Sequence, residues 1–142
     1  MKTSNQIEVI VFKNDSELGY KYLMLKRNLQ KGGFWQPITG NVNPSETFEE
    51  AAIRELEEET GITEFMRIFD TGYSFEFFDD DRQQHEKVFA VEVGTKVEIR
   101  LSEEHTEFKW TTKDECVTKY LKYSGNIAGL KTLSQKLEVE NE

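Results

Sequence analysis

Hydrophobic and polar residues alternate with two different periods along the chain, and these periods predict its strands and helices. Residues 7–12 (IEVIVF) and 20–25 (YKYLML) are short apolar runs rich in β-branched or aromatic side chains, which is typical of strands. Turn-forming residues separate the two runs, so we predict a β-hairpin. Residues 31–40 (KGGFWQPITG) mix glycine, proline and aromatic residues, which predicts an irregular connection.

A helical period begins after this connection and predicts a helix over residues 47–60. Thr47 and Glu50 have the spacing of a capping box, and Gly61 stands where helices commonly end in a left-handed residue. One face of the helix is apolar, with residues at i, i+3, i+4 and i+8: Phe48, Ala51, Ala52 and Leu56. We expect this face to pack on a sheet.

The second half of the chain predicts more strands and then helices. Four short runs have strand character: 72–78, 86–93, 97–101 and 107–110. Residues 112–121 begin with a capping-box pair, Thr112 and Glu115, and residues 126–137 have leucines at helical spacing. The order of elements predicts an α/β fold, a mixed β-sheet covered by helices, in one domain over residues 1–142.

Composition narrows the kinds of partner. A net charge of -9 argues against binding to a nucleic acid polymer, because such binding uses clustered lysine and arginine. The single cysteine, Cys116, excludes an intrachain disulfide and fits a reducing compartment. The first residues fit neither a signal peptide nor a membrane span, so we expect a cytoplasmic protein without a membrane partner. The oligomeric state is not predicted.

The predicted helix 47–60 is unusually acidic. Seven glutamates and one arginine lie between Glu46 and Glu59. Glu55, Glu58 and Glu59 follow the spacing i, i+3 and i+4, so their carboxylates share one stripe beside the packing face. A solvated acidic face is the ordinary explanation of such a run. Here the charge is unbalanced and a glycine-rich loop precedes it, which favours a platform for a hard cation such as Mg²⁺.

Residues 40–62 also carry a family resemblance. They read Gly40, five residues, Glu46, seven residues, then REL, one residue, EE, one residue and Gly61-Ile62. This pattern resembles the 23-residue Nudix box at every fixed position. The resemblance implies a Nudix hydrolase with an α/β/α sandwich, which hydrolyses a phosphoanhydride bond in a nucleoside diphosphate linked to another group and uses Mg²⁺ or Mn²⁺.

The resemblance also implies roles for individual residues. It makes Glu55, Glu58 and Glu59 the metal ligands, with the Gly40 carbonyl as a further ligand. Catalysis would use Glu55 and Glu59 together with Arg54, which orients a glutamate. For Glu46 a structural role and a role in the site stay open.

The resemblance further implies a general base from a loop outside the box. Residues 102–110 (SEEHTEFKW) offer three adjacent groups that can take a proton or a metal. Glu104 is our choice for the base or an additional metal ligand, with Glu103 and His105 as alternatives. An exposed polar loop without a catalytic role is the other interpretation.

The flanks of the box favour a subfamily. Residues 34–42, 103–110 and 120–133 together resemble dihydroneopterin triphosphate pyrophosphohydrolases, bacterial enzymes also described as acting on dATP. This resemblance implies release of pyrophosphate from a pterin or nucleoside triphosphate, in folate synthesis. Two alternatives are a Nudix hydrolase of another nucleotide, such as ADP-ribose or a dinucleoside polyphosphate, and a non-catalytic ligand sensor.

Five residues before the box are candidates for binding the substrate. Phe34, Trp35 and Gln36 could supply an aromatic platform and a hydrogen bond for a flat heterocycle, although Trp35 fits a core position equally well. Lys26 and Arg27 end the second predicted strand and could neutralise a terminal phosphate. Because side chains alternate along a strand, only one of these two is expected to face the site.

Overall fold

The structure is a computed structural model that describes residues 3–17, 19–79 and 81–141. In this part of the chain seven strands form one sheet: β1 (Thr3–Asp15), β2 (Gly19–Arg27), β3 (Trp35–Gln36), β4 (Ile38–Asn41), β5 (Arg67–Asp79), β6 (Arg82–Glu92) and β7 (His105–Thr111). The helices are α1 (Phe48–Thr60), α2 (Lys113–Glu115) and α3 (Ser124–Glu140). A π-helical turn, Cys116–Tyr120, continues α2, and a short 3₁₀ helix, Leu29–Lys31, follows β2.

The sheet is mixed because its central strand has neighbours of both directions. β1 pairs parallel with β6 and antiparallel with β2 and β4. β5 lies beyond β6, and β3 and β7 both pair antiparallel with β2. The β1–β2 pairing confirms the predicted hairpin. The parallel β1–β6 pairing joins residues about 80 positions apart in sequence, which a local pattern does not reveal.

Alternating side chains of β1 build two cores, one on each face of the sheet. Ile7, Val9 and Val11 pack with buried residues of α1. Ile10 and Phe12 point to the other face and pack with leucines of α3. The helices thus cover both faces, which confirms the predicted α/β/α sandwich.

Helices α1 and α2 begin at the capping boxes that the sequence predicts. The Thr47 hydroxyl accepts a hydrogen bond of 3.1 Å from the Glu50 amide, and the Glu50 carboxylate accepts one of 2.9 Å from the Thr47 amide. Gly61 ends α1 with φ of 74°. The predicted helix 47–60 is therefore confirmed. A second capping box, at Thr112 and Glu115, begins α2 as predicted.

One prediction about a connection was right only in part, and one about a strand was wrong. Residues 31–40 contain β3 and part of β4, because backbone pairing with β2 and β1 orders this glycine-rich segment. Residues 97–101 are not a strand. Their apolar side chains pack on the α1 core, and the Arg100 amide donates a 2.8 Å hydrogen bond to the carbonyl of Thr60. The apolar residues of this segment therefore pack on the end of α1, and among the described residues no strand pairs with them.

No helix in the described ranges is long and apolar enough to span a membrane.

Candidate active site

Strand β4 holds Gly40 directly against helix α1. A Cβ atom at Gly40 would lie 2.3 Å from the carboxyl carbon of Glu55, which is far inside van der Waals contact. Pairing of Gly40 with Ile7 of β1 fixes the strand at this distance. A side chain at Gly40 would therefore displace either the Glu55 carboxylate or the strand.

Arg54 contacts three glutamates of the box. Its Nε and Nη2 atoms donate to the two carboxylate oxygens of Glu46, at 2.6 and 2.9 Å. Its Nη1 atom donates to Glu55 at 2.8 Å and lies 3.3 Å from Glu58. Nη2 also donates to the Asn41 carbonyl at 2.8 Å. One guanidinium thus joins three glutamates to the end of β4.

The surroundings of Glu46 and Glu55 shift their pKa values in opposite directions. Hydrogen bonds from Arg54 and then from the Asn43 amide hold the pKa of Glu46 below its usual value. Burial raises the pKa of Glu55, and Arg54 opposes this effect only in part. In the structure Glu46 anchors Arg54 and the loop before α1, whereas Glu55 faces the cleft.

Glu59 is buried at the far end of the stripe. The Ser102 hydroxyl donates a 2.7 Å hydrogen bond to its Oε2 atom. The Nδ1 atom of His105 is 2.8 Å from the same oxygen, although neither ring nitrogen makes an aligned hydrogen bond with a described residue. Burial raises the pKa of Glu59, but the contacts with His105 and Ser102 outweigh burial and leave that pKa below its usual value. Ser102 was not among the predicted residues, and no sequence signal distinguishes it.

The three box carboxylates do not converge on one point. The side chain of Glu58 is 54% exposed, whereas Glu55 and Glu59 are buried. Within residues 3–17, 19–79 and 81–141, no three acidic, histidine or cysteine side chains lie close enough together to hold a metal ion. Arg54 holds Glu55 and contacts Glu58, while Ser102 and His105 hold Glu59.

The loop before β7 brings one of its two glutamates to the site. Glu104 lines the cleft beside Lys31, whose ammonium nitrogen is 3.8 Å from the carboxylate. Glu103 does not line the cleft, and its carbonyl accepts a 3.0 Å hydrogen bond from Asn28. His105 is buried against Glu59. The three alternatives thus occupy different places around the same site.

A cleft of about 1140 Å³ joins the box to an aromatic and polar wall. Its lining includes Gly40, Arg54 and Glu55 of the box, and Glu104. Three of the predicted substrate residues also line it: Arg27, Phe34 and Gln36. The remaining wall comes from β5, β6 and the start of α3, with residues that sequence reasoning missed, among them Phe75, Glu86, Tyr123 and Asn126.

The other two predicted substrate residues do not line this cleft. Trp35 packs edge-on against Tyr120, with ring centroids 5.2 Å apart, and contacts the α3-side core. Lys26 pairs with Glu107 at 3.4 Å. The physical reason is strand alternation, since Arg27 and Gln36 point into the cleft and their neighbours point away from it.

Comparison with known proteins identifies the family that this fold and cleft define. The model of the NUDIX domain matches residues 4–129. The chain therefore belongs to the Nudix family, as the box predicted.

Several curated proteins are similar to this chain. An octanoyltransferase of Myxococcus xanthus is 37% identical over 92 residues, which are 63% of this chain and 26% of that protein. The asymmetrical bis(5'-nucleosyl)-tetraphosphatase of Rattus norvegicus is 38% identical over 84 residues, 57% of each chain. The dihydroneopterin triphosphate diphosphatase of Haemophilus influenzae is 30% identical over 129 residues, 82% of this chain and 78% of that protein. The chain spans 26% to 62% of the length of the first four relatives.

A solved structure supports the fold independently. The crystal structure of a C. elegans Ap4A hydrolase binary complex matches with a TM-score of 0.83 and 21% identity. The match covers 96% of this chain and 98% of that chain. The arrangement of sheet and helices is thus that of a Nudix fold.

Proposed function

We propose that this chain is a metal-dependent Nudix pyrophosphohydrolase that cleaves a nucleoside or pterin triphosphate to the monophosphate and pyrophosphate. The observation that carries the proposal is that one cleft places the box carboxylate Glu55 and Gly40 in the same space as an aromatic and polar wall. Such a cleft can hold a phosphate chain at one end and a heterocycle at the other.

The donor set fits a hard divalent cation. Glu55, Glu58, Glu59 and the Gly40 carbonyl offer only oxygen ligands, which Mg²⁺ and Mn²⁺ prefer, and Mg²⁺ commonly binds through one or two carboxylates plus substrate phosphates. The cation, when bound, neutralises charge on the phosphate oxygens and makes the attacking water more acidic. We propose these four residues and Glu104 as its ligands.

The chain's own groups position and polarise the substrate. Arg54 would keep Glu55 oriented through the 2.8 Å contact described above. Glu104 would accept a proton from the water that attacks phosphorus. Arg27 and Lys31, which line the same cleft, would neutralise phosphate oxygens as pyrophosphate leaves.

Arg27, Phe34 and Gln36 are our proposed substrate contacts. The Arg27 guanidinium carbon is 5.5 Å from the centre of the Phe34 ring, and Gln36 Nε2 donates a 3.3 Å hydrogen bond to Thr39. These contacts hold the three side chains along the wall of the cleft. We leave Trp35 and Lys26 out of the proposal because they lie outside it.

The similarity to the Haemophilus protein over 82% of this chain supports the pterin triphosphate. With this substrate, we propose a place in folate synthesis in the cytoplasm. A dinucleoside polyphosphate is the second candidate, because the rat tetraphosphatase is 38% identical over the matched residues. Both candidates contain a phosphoanhydride bond and a heterocycle.

A substrate panel tests the proposal. The purified chain is given dihydroneopterin triphosphate, dATP, GTP, diadenosine tetraphosphate and ADP-ribose with Mg²⁺, and both pyrophosphate and orthophosphate are measured. We expect a pterin or nucleoside triphosphate to have the highest kcat/KM and to release pyrophosphate. A higher kcat/KM for diadenosine tetraphosphate would select the second candidate. No hydrolysis of any compound would contradict the proposed activity.

A further inference from the structure

The cleft contains a buried carboxylate that the proposed chemistry does not use. Glu86 of β6 lines the cleft and is 3% exposed. No side chain in the described part of the protein donates a hydrogen bond or forms an ion pair with it. A buried carboxylate without a partner is costly, so its position in the wall points to a ligand that supplies donors.

Asn126, at the start of α3, adds a second acceptor to this wall. Its side-chain nitrogen donates to the fully buried Glu8 of β1, so that nitrogen is already engaged. Its amide oxygen has no hydrogen bond with another described residue. Asn126 lines the cleft and is 8% exposed. The contact with Glu8 thus holds the Asn126 side chain at the wall of the cleft.

Aromatic rings share the cleft with these acceptors. Phe75 lies on β5 opposite Glu86 in the sheet, and it lines the cleft together with Phe34 and Tyr123. The rings of Phe34 and Tyr123 contact each other edge-on, with centroids 5.6 Å apart. Aromatic faces next to buried acceptors fit a flat heterocycle better than a bare cation.

We propose that Glu86, together with the amide oxygen of Asn126, selects a heterocycle whose edge carries adjacent N–H and NH₂ donors, as in guanine or a pterin, over adenine. The inference rests on the proposed function. A carboxylate can accept two parallel N–H bonds from such an edge. Adenine places an acceptor nitrogen beside its amino group, so one carboxylate oxygen would face a lone pair. A site built for hydrogen bonds rejects an analogue that leaves its buried groups unpaired.

The test measures binding and does not depend on turnover. Calorimetry at pH 8, above the raised pKa of Glu86, gives the dissociation constants of the α,β-methylene analogues of GTP and ATP, with Mg²⁺, for the wild type and for Glu86→Gln. We expect the wild type to bind the GTP analogue about 10- to 100-fold more tightly. Glu86→Gln should lose this preference, because its amide presents one donor and one acceptor, a pattern that suits adenine.

Glu76→Gln is the matched control. Glu76 also lines the cleft, but its side chain is 58% exposed and accepts a hydrogen bond from Gln83, so its replacement should leave the preference unchanged. Equal binding of both analogues to the wild type, or a guanine preference that Glu86→Gln retains, would overturn the inference. Guanine preference that Glu86→Gln abolishes, in a chain that hydrolyses no triphosphate, would support the inference and contradict the proposed function alone.

Discussion

At the residue scale, Glu104, the proposed general base, lies in the cleft. It lines the same space as Glu55, whereas Glu103, its neighbour in sequence, does not. The two residues carry the same side chain in one exposed loop, so they form a matched pair for mutagenesis. A difference in activity between the two glutamine variants would reflect the position of the side chain in the cleft, because both variants lose the same charge and gain the same amide.

We predict that Glu104→Gln lowers kcat by about 10²- to 10⁴-fold with a smaller change in KM, as expected for the loss of a general base. Glu103→Gln should retain wild-type kcat. Steady-state kinetics with the best triphosphate from the panel gives both values. Recovery of Glu104→Gln at high Mg²⁺ would show that Glu104 is instead a metal ligand, because mass action compensates weakened binding. Wild-type kcat in Glu104→Gln would refute both roles.

At the element scale, the contact between β4 and α1 determines the geometry of the box. Gly40 has no room for a side chain, since Glu55 occupies the position that a Cβ atom would take. Any added atom must move either the strand or the carboxylate. The sequence pattern marked Gly40 as a candidate ligand, but the steric reason for a glycine appears only in the structure.

We predict that Gly40→Ala lowers kcat/KM with Mg²⁺ by about 10²-fold, because a displacement of about 1 Å in an active site has this cost. Gly94→Ala is the control, since a Cβ atom there meets no heavy atom within 4 Å. Kinetics and thermal unfolding of both variants separate a local effect from loss of the fold. Unchanged kcat/KM in Gly40→Ala would refute the role of this contact.

The sequence predicted those elements whose signals are local. The helix predicted over residues 47–60 is α1, Phe48–Thr60, because its caps and apolar period are local in sequence. Strand β4 has only four residues and forms because β1 offers it a partner, which no local pattern shows. The cleft was only partly predictable for the same reason. The box was found from its motif and Arg27 from the end of a predicted strand, whereas Glu86 and Asn126 come together through the sheet and α3.

At the scale of the whole molecule, the buried carboxylates between the sheet and α3 affect stability. Burial raises the pKa of Glu86 from 4.5 to about 7. The folded state then binds more protons than the unfolded state between these two pH values. The contribution of Glu86 to the free energy of unfolding therefore falls as pH rises from about 4.5 to about 7.

We predict that Glu86→Gln removes this dependence. Relative to the wild type, Glu86→Gln should raise the free energy of unfolding at pH 8 by about 2 to 3 kcal/mol more than it does at pH 5. Urea denaturation at the two pH values measures it. Glu76→Gln, at an exposed position, should show no such difference. An equal effect of Glu86→Gln at both pH values would refute the raised pKa.

We propose that the buried box carboxylates make this Nudix domain a metal-dependent hydrolase of phosphoanhydride bonds. Glu59 and Glu57 lie on the same helix, but Glu59 is buried against Ser102 and His105, whereas Glu57 is exposed. Replacing either glutamate with glutamine removes one negative charge at nearly constant shape. Only the change at Glu59 should affect the proposed metal site.

The most direct measurement is pyrophosphate release from the preferred triphosphate by the wild type, Glu59→Gln and Glu57→Gln, each with Mg²⁺ and with excess EDTA. We predict that EDTA abolishes release in all three, that Glu59→Gln loses about 10²-fold or more in kcat with Mg²⁺, and that Glu57→Gln equals the wild type. Wild-type turnover by Glu59→Gln, or turnover that persists in EDTA, would contradict the account.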